Sequence, residues 1–253
     1  MVVLLHGLSG NRRGYAALVD HLSNRVEAGE LQVLNVDLRG HGQTSRATLV
    51  SYDAPSYAAD IAALIDSLTG EGVVVVAHSL GGVVAAALAS ARPDLVRALF
   101  LEDPPLFEGD AARRNASPVA AFFPLLVAAV QDLHAKGAPI SDYEALALTH
   151  VASDEAAARG YSLSQWDPTS MQAAVEGIVW QGFNPTASFS CPVMILRADP
   201  TCGAVFEAGD VAPVQSANPQ ARIHMVPAAS HSILSTQPAA YLHHFDNFLA
   251  SVL

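Results

Sequence analysis

The hydrophobic positions of the chain form two kinds of segment, short unbroken apolar runs and longer stretches with helical spacing. Six short runs occur, at Val2–Leu5, Leu31–Val36, Val73–Ala77, Ala98–Leu101, Val193–Leu196 and Ala221–Val226. Runs without polar–apolar alternation are typical of strands buried on both faces of a parallel sheet. The longer stretches between them are Tyr15–Ala28, Tyr57–Leu68, Gly82–Ser90 and Pro238–Val252. Strands that alternate with helices predict βαβ units, and therefore an α/β fold with a doubly wound, mostly parallel sheet.

No strand pattern occurs between residues 105 and 190, where the apolar segments have helical spacing instead. These segments are Val119–Leu133, Tyr143–Val151 and Ser170–Gln181. We therefore expect a core formed by residues 1–104 and 191–253, with residues 105–190 inserted as a helical cap or lid. Aromatic side chains of the cap either pack it onto the sheet or line an apolar substrate pocket beneath it, and the two roles are compatible. The candidates for the pocket are Phe122, Phe123 and Trp180.

Composition and charge narrow the possible function classes. The chain has 253 residues, of which 51% are hydrophobic and 15% charged, so it can bury a large core. Its net charge of −11 argues against a nucleic-acid partner. The two cysteines form no disulfide framework, which suits a reducing compartment. Neither lies in a metal-binding motif, so we expect no metal. We also expect no cofactor and a small-molecule substrate. The oligomeric state stays open between a monomer and a homodimer.

One run of 20 residues, Gly72–Ala91, contains no Asp, Glu, Lys or Arg and has the length of a membrane span. It is interrupted by His78, Ser79, Gly81 and Gly82, so we interpret it as a buried strand, a sharp turn and a buried helix. The apolar start of the chain is too short for a signal peptide. We therefore expect no membrane span and a cytoplasmic protein.

The turn inside this run has the features of a nucleophile site. A serine between a strand and a helix is held in a strained conformation. Small residues are needed two positions before and after it, here Ala77 and Gly81, because strand and helix approach closely. The N–H of Leu80 lies at the start of the helix, where free amides stabilise an oxyanion. We therefore predict that Ser79 is a catalytic nucleophile.

A serine hydroxyl needs a base that takes its proton. His231 follows the last predicted strand and precedes the final helix, which places it in a loop that can reach Ser79. A second oxyanion donor is expected after the first strand, where the chain turns at Gly7 and leaves the N–H of Leu8 free. The residues beside these elements are candidates for contact with the substrate: His6, Gly7 and His78.

Four motifs make the chain similar to enzymes of the α/β-hydrolase fold. They are His6-Gly7, the segment from Asp37 to Ser45, His78-Ser79-Leu80-Gly81-Gly82, and Ser230-His231. The resemblance covers nearly the whole chain and implies a serine hydrolase. Two features depart from the family. Ala77 stands where the nucleophile motif often has Gly, and Met1 opens almost directly on the first strand, without the usual leading hairpin. Leu31–Val36 is then expected at a sheet edge, which a partner or an upstream segment could cover.

In this family a carboxylate holds the base, and the sequence offers three residues for that role. Asp199 ends the strand after the cap, where most members carry the acid, but it comes two positions early. Asp103 ends the strand after the nucleophile helix, where a minority of the family carries the acid, haloalkane dehalogenases among them. We favour Asp103 and keep Asp199 and Glu102 as alternatives.

Together these residues predict acyl transfer through a covalent serine intermediate. The expected substrates are small carboxylic esters or lactones with an apolar moiety beneath the cap. Two alternatives stay open: hydrolysis of a carbon–carbon bond, with Arg12 and Arg13 holding a substrate carboxylate, and a ligand receptor on the hydrolase fold. A haloalkane dehalogenase is excluded, because its nucleophile would be a carboxylate where Ser79 stands.

Overall fold

A computed structural model describes residues 1–116, 122–149, 151 and 155–253. Within these residues the strands are β1 (Val2–Leu5), β2 (Val33–Val36), β3 (Val73–His78), β4 (Val96–Glu102), β5 (Val193–Arg197) and β6 (Arg222–Met225). All neighbours pair in parallel, in the order β2-β1-β3-β4-β5-β6. The predicted doubly wound parallel sheet is therefore confirmed. The segment expected at a sheet edge, Leu31–Val36, contributes β2, which is an edge strand.

Helices connect the strands throughout the described ranges. They are α1 (Ala16–Glu27), α2 (Ala54–Leu68), α3 (Leu80–Ala91), α4 (Ala111–Ala116), α5 (Phe122–Lys136), α6 (Ile140–Ala147), α7 (Ala156–Gln165), α8 (Thr169–Val175), α9 (Ala208–Ala217), α10 (Ile233–Thr236) and α11 (Pro238–Val252). The start of the predicted segment Val119–Leu133 and part of Tyr143–Val151 lie outside the described residues. Helix α9 is absent from the elements predicted from the sequence.

The hydrophobic core lies on both faces of the sheet. Because successive side chains of a strand point to opposite faces, Val2 and Leu4 join one cluster with α1 and α11. Val3 and Leu5 join the other cluster, with α2 and α3. All four side chains are fully buried. Burial on both faces explains why these strands read as unbroken apolar runs in the sequence.

The uncharged run Gly72–Ala91 divides between β3 and α3, as interpreted from its polar interruptions. Strand β3 ends at His78 and α3 begins at Leu80. Across the described ranges, no helix has both the length and the apolar character needed to cross a membrane.

The chain between β4 and β5 carries α4 to α8 and lies against loops that follow other strands. Arg159 of α7 donates a hydrogen bond to the carbonyl of Ser9, which follows β1 (3.0 Å). The N–H of Asp167 donates to the carbonyl of Gly40, which follows β2 (2.7 Å). Since parallel strands end at the same edge of the sheet, these contacts join the insertion to loops at the carboxyl edge, where sites of α/β proteins form.

Candidate active site

Ser79 is the single residue between β3 and α3. Its backbone has φ +51° and ψ −118°, a conformation that costs energy for a residue with a side chain. Two backbone hydrogen bonds hold this turn: the N–H of Ser79 donates to the carbonyl of Glu102 (3.0 Å), and the N–H of Gly82 donates to the carbonyl of Ser79 (2.8 Å). The half-buried Ser79 is thus fixed at the carboxyl edge of β3.

Close approach of strand and helix explains the small residues around Ser79. A Cβ atom on Gly81 would overlap the carbonyl oxygen of Leu5 in the neighbouring strand. Ala77, which stands where the family motif often has Gly, is fully buried within the core cluster. The methyl group of Ala77 is therefore accommodated, whereas position 81 has no space for one.

His231 lies in the loop between β6 and α10, next to Asp103. Its Nδ1 is 2.8 Å from Oδ2 of Asp103. A carboxylate only accepts hydrogen bonds, so Nδ1 carries the hydrogen and Nε2 of a neutral His231 is free to accept a proton. His231 is half-buried and Asp103 is fully buried. This tautomer is the one that a general base next to a serine requires.

Backbone amides surround the carboxylate of Asp103. Oδ1 accepts hydrogen bonds from the N–H groups of Ala198 (3.1 Å) and Phe206 (3.3 Å), and Oδ2 accepts one from Val205 (2.9 Å). Burial alone would raise the pKa of Asp103, but the hydrogen bonds from His231 and from these amides outweigh it. The pKa of Asp103 therefore lies below its ordinary value.

The other two candidate carboxylates do not contact His231. Glu102 accepts a hydrogen bond from the N–H of Leu234 (2.8 Å), and burial raises its pKa to about 8. Asp199 accepts hydrogen bonds from the N–H groups of Thr201 (2.9 Å) and Ala228 (2.9 Å), so that it fastens a turn at the end of β5. Of the three candidates only Asp103 is hydrogen bonded to His231.

The loop after β1 packs directly on the serine turn. A Cβ atom on Gly7 would lie 2.7 Å from Nδ1 of His78 and 3.1 Å from Cβ of Ser79, so only glycine fits there. Among the described residues no group accepts a hydrogen bond from the N–H of Leu8 or of Leu80. The two predicted oxyanion donors are thus unpaired, and Leu80 is at the first position of α3.

His6 holds this loop in place. Its Nδ1 donates to the carbonyl of Gly7 (2.8 Å) and its Nε2 accepts from the N–H of Leu38 (3.0 Å). The ring packs edge-on against His41, at 5.0 Å between centroids. Both ring nitrogens are used, so His6 has no free polar atom to offer a substrate. Burial lowers the pKa of His6 to about 4 and that of His41 to about 3, which keeps both rings neutral.

His78 lies beside His231, with 4.7 Å between the ring centroids. Its Nε2 donates to the backbone carbonyl of His231 (3.0 Å). Burial, followed by the charge of His231, lowers the pKa of His78 to about 3. His78 is thus a neutral group that fixes the backbone of His231.

The aromatic residues proposed for a substrate pocket belong to the insertion. Trp180 donates from Nε1 to the carbonyl of Pro105, just after β4 (2.8 Å). Phe122 and Phe123 are half-buried neighbours, with 6.4 Å between centroids. A surface groove of about 690 Å³ lies elsewhere, between α2 and α3, and includes none of these three side chains. A role of the three in substrate binding stays a prediction.

Two arginines follow the oxyanion loop, and each has a partner within the protein. Arg12 forms an ion pair with Asp37. Arg13 stacks on the ring of Tyr161, with its guanidinium carbon 3.7 Å from the centroid. A third arginine, Arg159, contacts the same loop and carries no sequence signal, because it lies 150 residues from Ser9. In the parts of the chain that the structure describes, no cluster of His, Cys, Asp or Glu could hold a metal ion.

Comparison with known proteins shows the family and several relatives that match parts of the chain. The model of the alpha/beta hydrolase family matches residues 2–243. Lipase LipV of Mycobacterium tuberculosis is 42% identical over 103 residues, which are 41% of this chain and 36% of the lipase. The 2-(acetamidomethylene)succinate hydrolase of Mesorhizobium japonicum is 34% identical over 122 residues, which are 46% of this chain and 42% of that protein. The chain thus spans about a third to two fifths of the length of these relatives.

Solved structures resemble the fold over nearly the whole chain. A marine microorganism esterase has a TM-score of 0.80 at 20% identity, covering 98% of this chain and 94% of the esterase. The crystal structure of E-2-(acetamidomethylene)succinate hydrolase has a TM-score of 0.72 at 23% identity, covering 99% of this chain and 91% of that one. At these identities the likeness shows the fold alone.

Proposed function

Because the chain belongs to the alpha/beta hydrolase family, we propose that it is a serine hydrolase that cleaves small carboxylic esters or lactones with an apolar moiety. Ser79 is the nucleophile, His231 the base and Asp103 the acid. The observation that carries the proposal is a serine in a strained strand-to-helix turn whose neighbour, His78, packs against His231, which is hydrogen bonded to Asp103. The similarity to lipase LipV supports the ester as substrate class.

Acylation begins when Oγ of Ser79 attacks the substrate carbonyl and Nε2 of His231 takes its proton. The carboxylate of Asp103 stabilises the imidazolium that forms, because the two are hydrogen bonded and Asp103 stays ionised. His231 then protonates the leaving alcohol. The tetrahedral intermediate collapses to an ester between the substrate acyl group and Ser79.

The N–H groups of Leu8 and Leu80 donate to the negative oxygen of this intermediate. One such donor contributes about 10²- to 10³-fold to the rate in other hydrolases. In the second half of the reaction, water attacks the acyl-serine while His231 again takes the proton. His231 then passes this proton to Oγ of the departing Ser79, so the free enzyme is regenerated and the acid is released.

Residues 105–190 act as a cap over the core formed by residues 1–104 and 191–253. The support is the set of hydrogen bonds that join the insertion to loops after the strands, from Arg159 to Ser9 and from Asp167 to Gly40. The cap covers the site and offers apolar side chains to the substrate, Phe122, Phe123 and Trp180 among them.

A second candidate is hydrolysis of a non-ester bond, such as a carbon–carbon bond, by the same residues. The similarity to 2-(acetamidomethylene)succinate hydrolase favours it, because the name of that relative does not describe an ester. Turnover of a substrate panel separates the two candidates. Repeated turnover of any substrate also excludes a ligand receptor.

Labelling with a fluorophosphonate, which reacts with activated serines, tests the proposal. Wild-type protein and the control Ser67→Ala, which changes an exposed serine of α2, are expected to label equally, whereas Ser79→Ala should not label. Esters, lactones and 1,3-diketones are then compared by kcat/KM. Absence of labelling in the wild type would contradict an activated serine.

A further inference from the structure

The guanidinium of Arg159 reaches from α7 to the loop that carries the proposed oxyanion donor Leu8. Nη1 donates to the carbonyl of Ser9 (3.0 Å) and Nη2 donates to Oγ of Ser9 (2.7 Å). The hydroxyl of Ser9 in turn donates to the carbonyl of Leu8 (2.6 Å). The cation is thus held at one residue, directly after the oxyanion loop.

These two hydrogen bonds leave Arg159 incompletely paired. Its Nε is inaccessible to solvent and has no partner among the described residues. Burial lowers the pKa of Arg159 to about 10, and the charge of Glu155 raises it in part, but no described carboxylate forms an ion pair with the guanidinium. The guanidinium is therefore a half-buried cation with no carboxylate partner among the described residues, and an anion at its remaining N–H groups would stabilise it.

Two other arginines near the carboxyl edge of the sheet differ from Arg159 in this respect. Arg113 of α4 forms ion pairs with both Glu108 and Asp210. Arg12, on the same loop as Ser9, is paired with Asp37. Arg113 and Arg12 thus each have a carboxylate partner within the protein, whereas Arg159 has none among the described residues.

The loop that Arg159 contacts also packs against the serine turn. Ser9 is two residues from Gly7, a chain distance of at most about 7 Å, and Gly7 packs against Cβ of Ser79. The path from the guanidinium through Ser9 and Gly7 to Ser79 is thus at most roughly 15 Å, a distance that one substrate molecule can span.

We infer that Arg159 binds a carboxylate of the substrate, so that the preferred ester carries a negative charge on the same molecule as its scissile bond. This inference rests on the proposed serine hydrolysis and specifies its substrate class. The carboxylate would accept hydrogen bonds from the Nη hydrogens that Ser9 does not use, since Nε itself is inaccessible. Arg159 is then a specificity-determining residue that the sequence does not reveal.

Two methyl esters of equal chain length test the inference, methyl hexanoate and monomethyl adipate, which differ in one terminal carboxylate. Methanol release gives kcat/KM for both esters in the wild type, Arg159→Gln, Arg159→Lys and the control Arg25→Gln, which removes an exposed positive charge from α1. We expect the wild type to prefer monomethyl adipate. Arg159→Gln should lower the ratio of the two kcat/KM values by roughly 10- to 100-fold, mainly through KM. Arg159→Lys should retain part of the preference and Arg25→Gln all of it.

An equal loss of activity on both esters in Arg159→Gln would overturn the inference, because it would show that Arg159 only holds the loop. A wild type that prefers methyl hexanoate would overturn it as well. A failure of the proposed serine mechanism would give a different result. Ser79 would then not be labelled by the fluorophosphonate, whereas a wrong substrate class leaves this labelling intact. Thermal unfolding of each variant shows whether the fold is retained.

Discussion

His231 and Asp103 are 128 positions apart in the sequence, and their side chains meet at 2.8 Å. Asp103 is fully buried and three backbone amides hold its oxygens, so the carboxylate fixes one orientation and one tautomer of the imidazole. Asparagine at position 103 could donate to Nδ1 and stabilise the other tautomer, in which Nε2 carries the hydrogen. That tautomer cannot take a proton from Ser79.

We therefore predict that Asp103→Asn lowers kcat for ester hydrolysis by about 10³- to 10⁴-fold, with a much smaller change in KM. Asp199→Asn is the matched control, because Asp199 ends the neighbouring strand yet makes no contact with His231. It should keep kcat within a factor of about three. Steady-state kinetics of both variants measure these effects. Near-full activity of Asp103→Asn would contradict the role of Asp103 as the acid.

The glycine two positions after Ser79 gives a prediction about stability. Alanine at position 81 would place its methyl group on the carbonyl oxygen of Leu5, and backbone on both sides leaves little freedom to move. We expect Gly81→Ala to lower the free energy of unfolding by about 1–3 kcal/mol and to slow labelling of Ser79. Gly209→Ala in α9 is the control. No atom lies within 4 Å of its added Cβ, and a gain of up to about 1 kcal/mol is expected. Urea unfolding measures the stability of both variants. A Gly81→Ala variant as stable as the wild type would contradict the steric argument.

Sequence patterns predict the sheet and the nucleophile turn because both are encoded locally. The apolar block of β3, Ser79 and the small residues of α3 are contiguous, and their spacing alone requires a tight turn. The acid is different, because two carboxylates end neighbouring parallel strands, β4 and β5. Which of them meets His231 depends on how the loops after the strands fold, and the sequence leaves Asp103 and Asp199 as alternatives.

Helix α9 is not predicted because its own sequence has low helical propensity. Gly209 and Pro213 lie inside the helix, and both residues weaken helical propensity. The helix is instead stabilised by a capping box between Glu207 and Asp210 and by the ion pair of Asp210 with Arg113 of the insertion. The ion pair joins residues 97 positions apart, so no local sequence pattern indicates it.

The neutral histidine pair beneath the oxyanion loop should make the fold sensitive to acid. His41 accepts a hydrogen bond from the N–H of Ser9 (3.3 Å), and burial lowers its pKa from 6.5 to about 3. The unfolded chain therefore binds a proton that the folded protein does not. The contribution of neutral His41 to the free energy of unfolding is complete above pH 6.5. It is lost as the pH falls towards 3, at up to about 1.4 kcal/mol per pH unit.

His41→Gln removes this titration while keeping a polar side chain near Ser9. We expect the variant to be less stable than the wild type at pH 7 by about 1–3 kcal/mol, since a buried hydrogen bond is disturbed. The difference should narrow between pH 6.5 and pH 4, where the wild type loses stability faster. Urea unfolding at intervals of half a pH unit measures the two slopes. Parallel slopes would show that His41 titrates alike in the folded and unfolded chain.

Glu102 should have the opposite dependence on pH. Its carbonyl holds the N–H of Ser79 and its carboxyl group accepts from the N–H of Leu234, so one residue joins the nucleophile turn to the segment after His231. Burial raises its pKa from 4.5 to about 8, so that the folded protein keeps a proton that the unfolded chain releases. This contribution to stability is fully present below pH 4.5 and is lost as the pH rises towards 8, at up to about 1.4 kcal/mol per pH unit.

Glu102→Gln tests this sign, because the amide has the shape of the protonated carboxyl group and still accepts from Leu234. Other titrating groups, His41 among them, are common to both proteins and cancel in the difference between the two free energies of unfolding. We expect Glu102→Gln to gain stability relative to the wild type steadily from pH 5 to pH 8, as measured by urea unfolding. A difference independent of pH would mean that the carboxyl group is already ionised in the folded protein at pH 5. The hydrogen bonds from the backbone would then outweigh its burial.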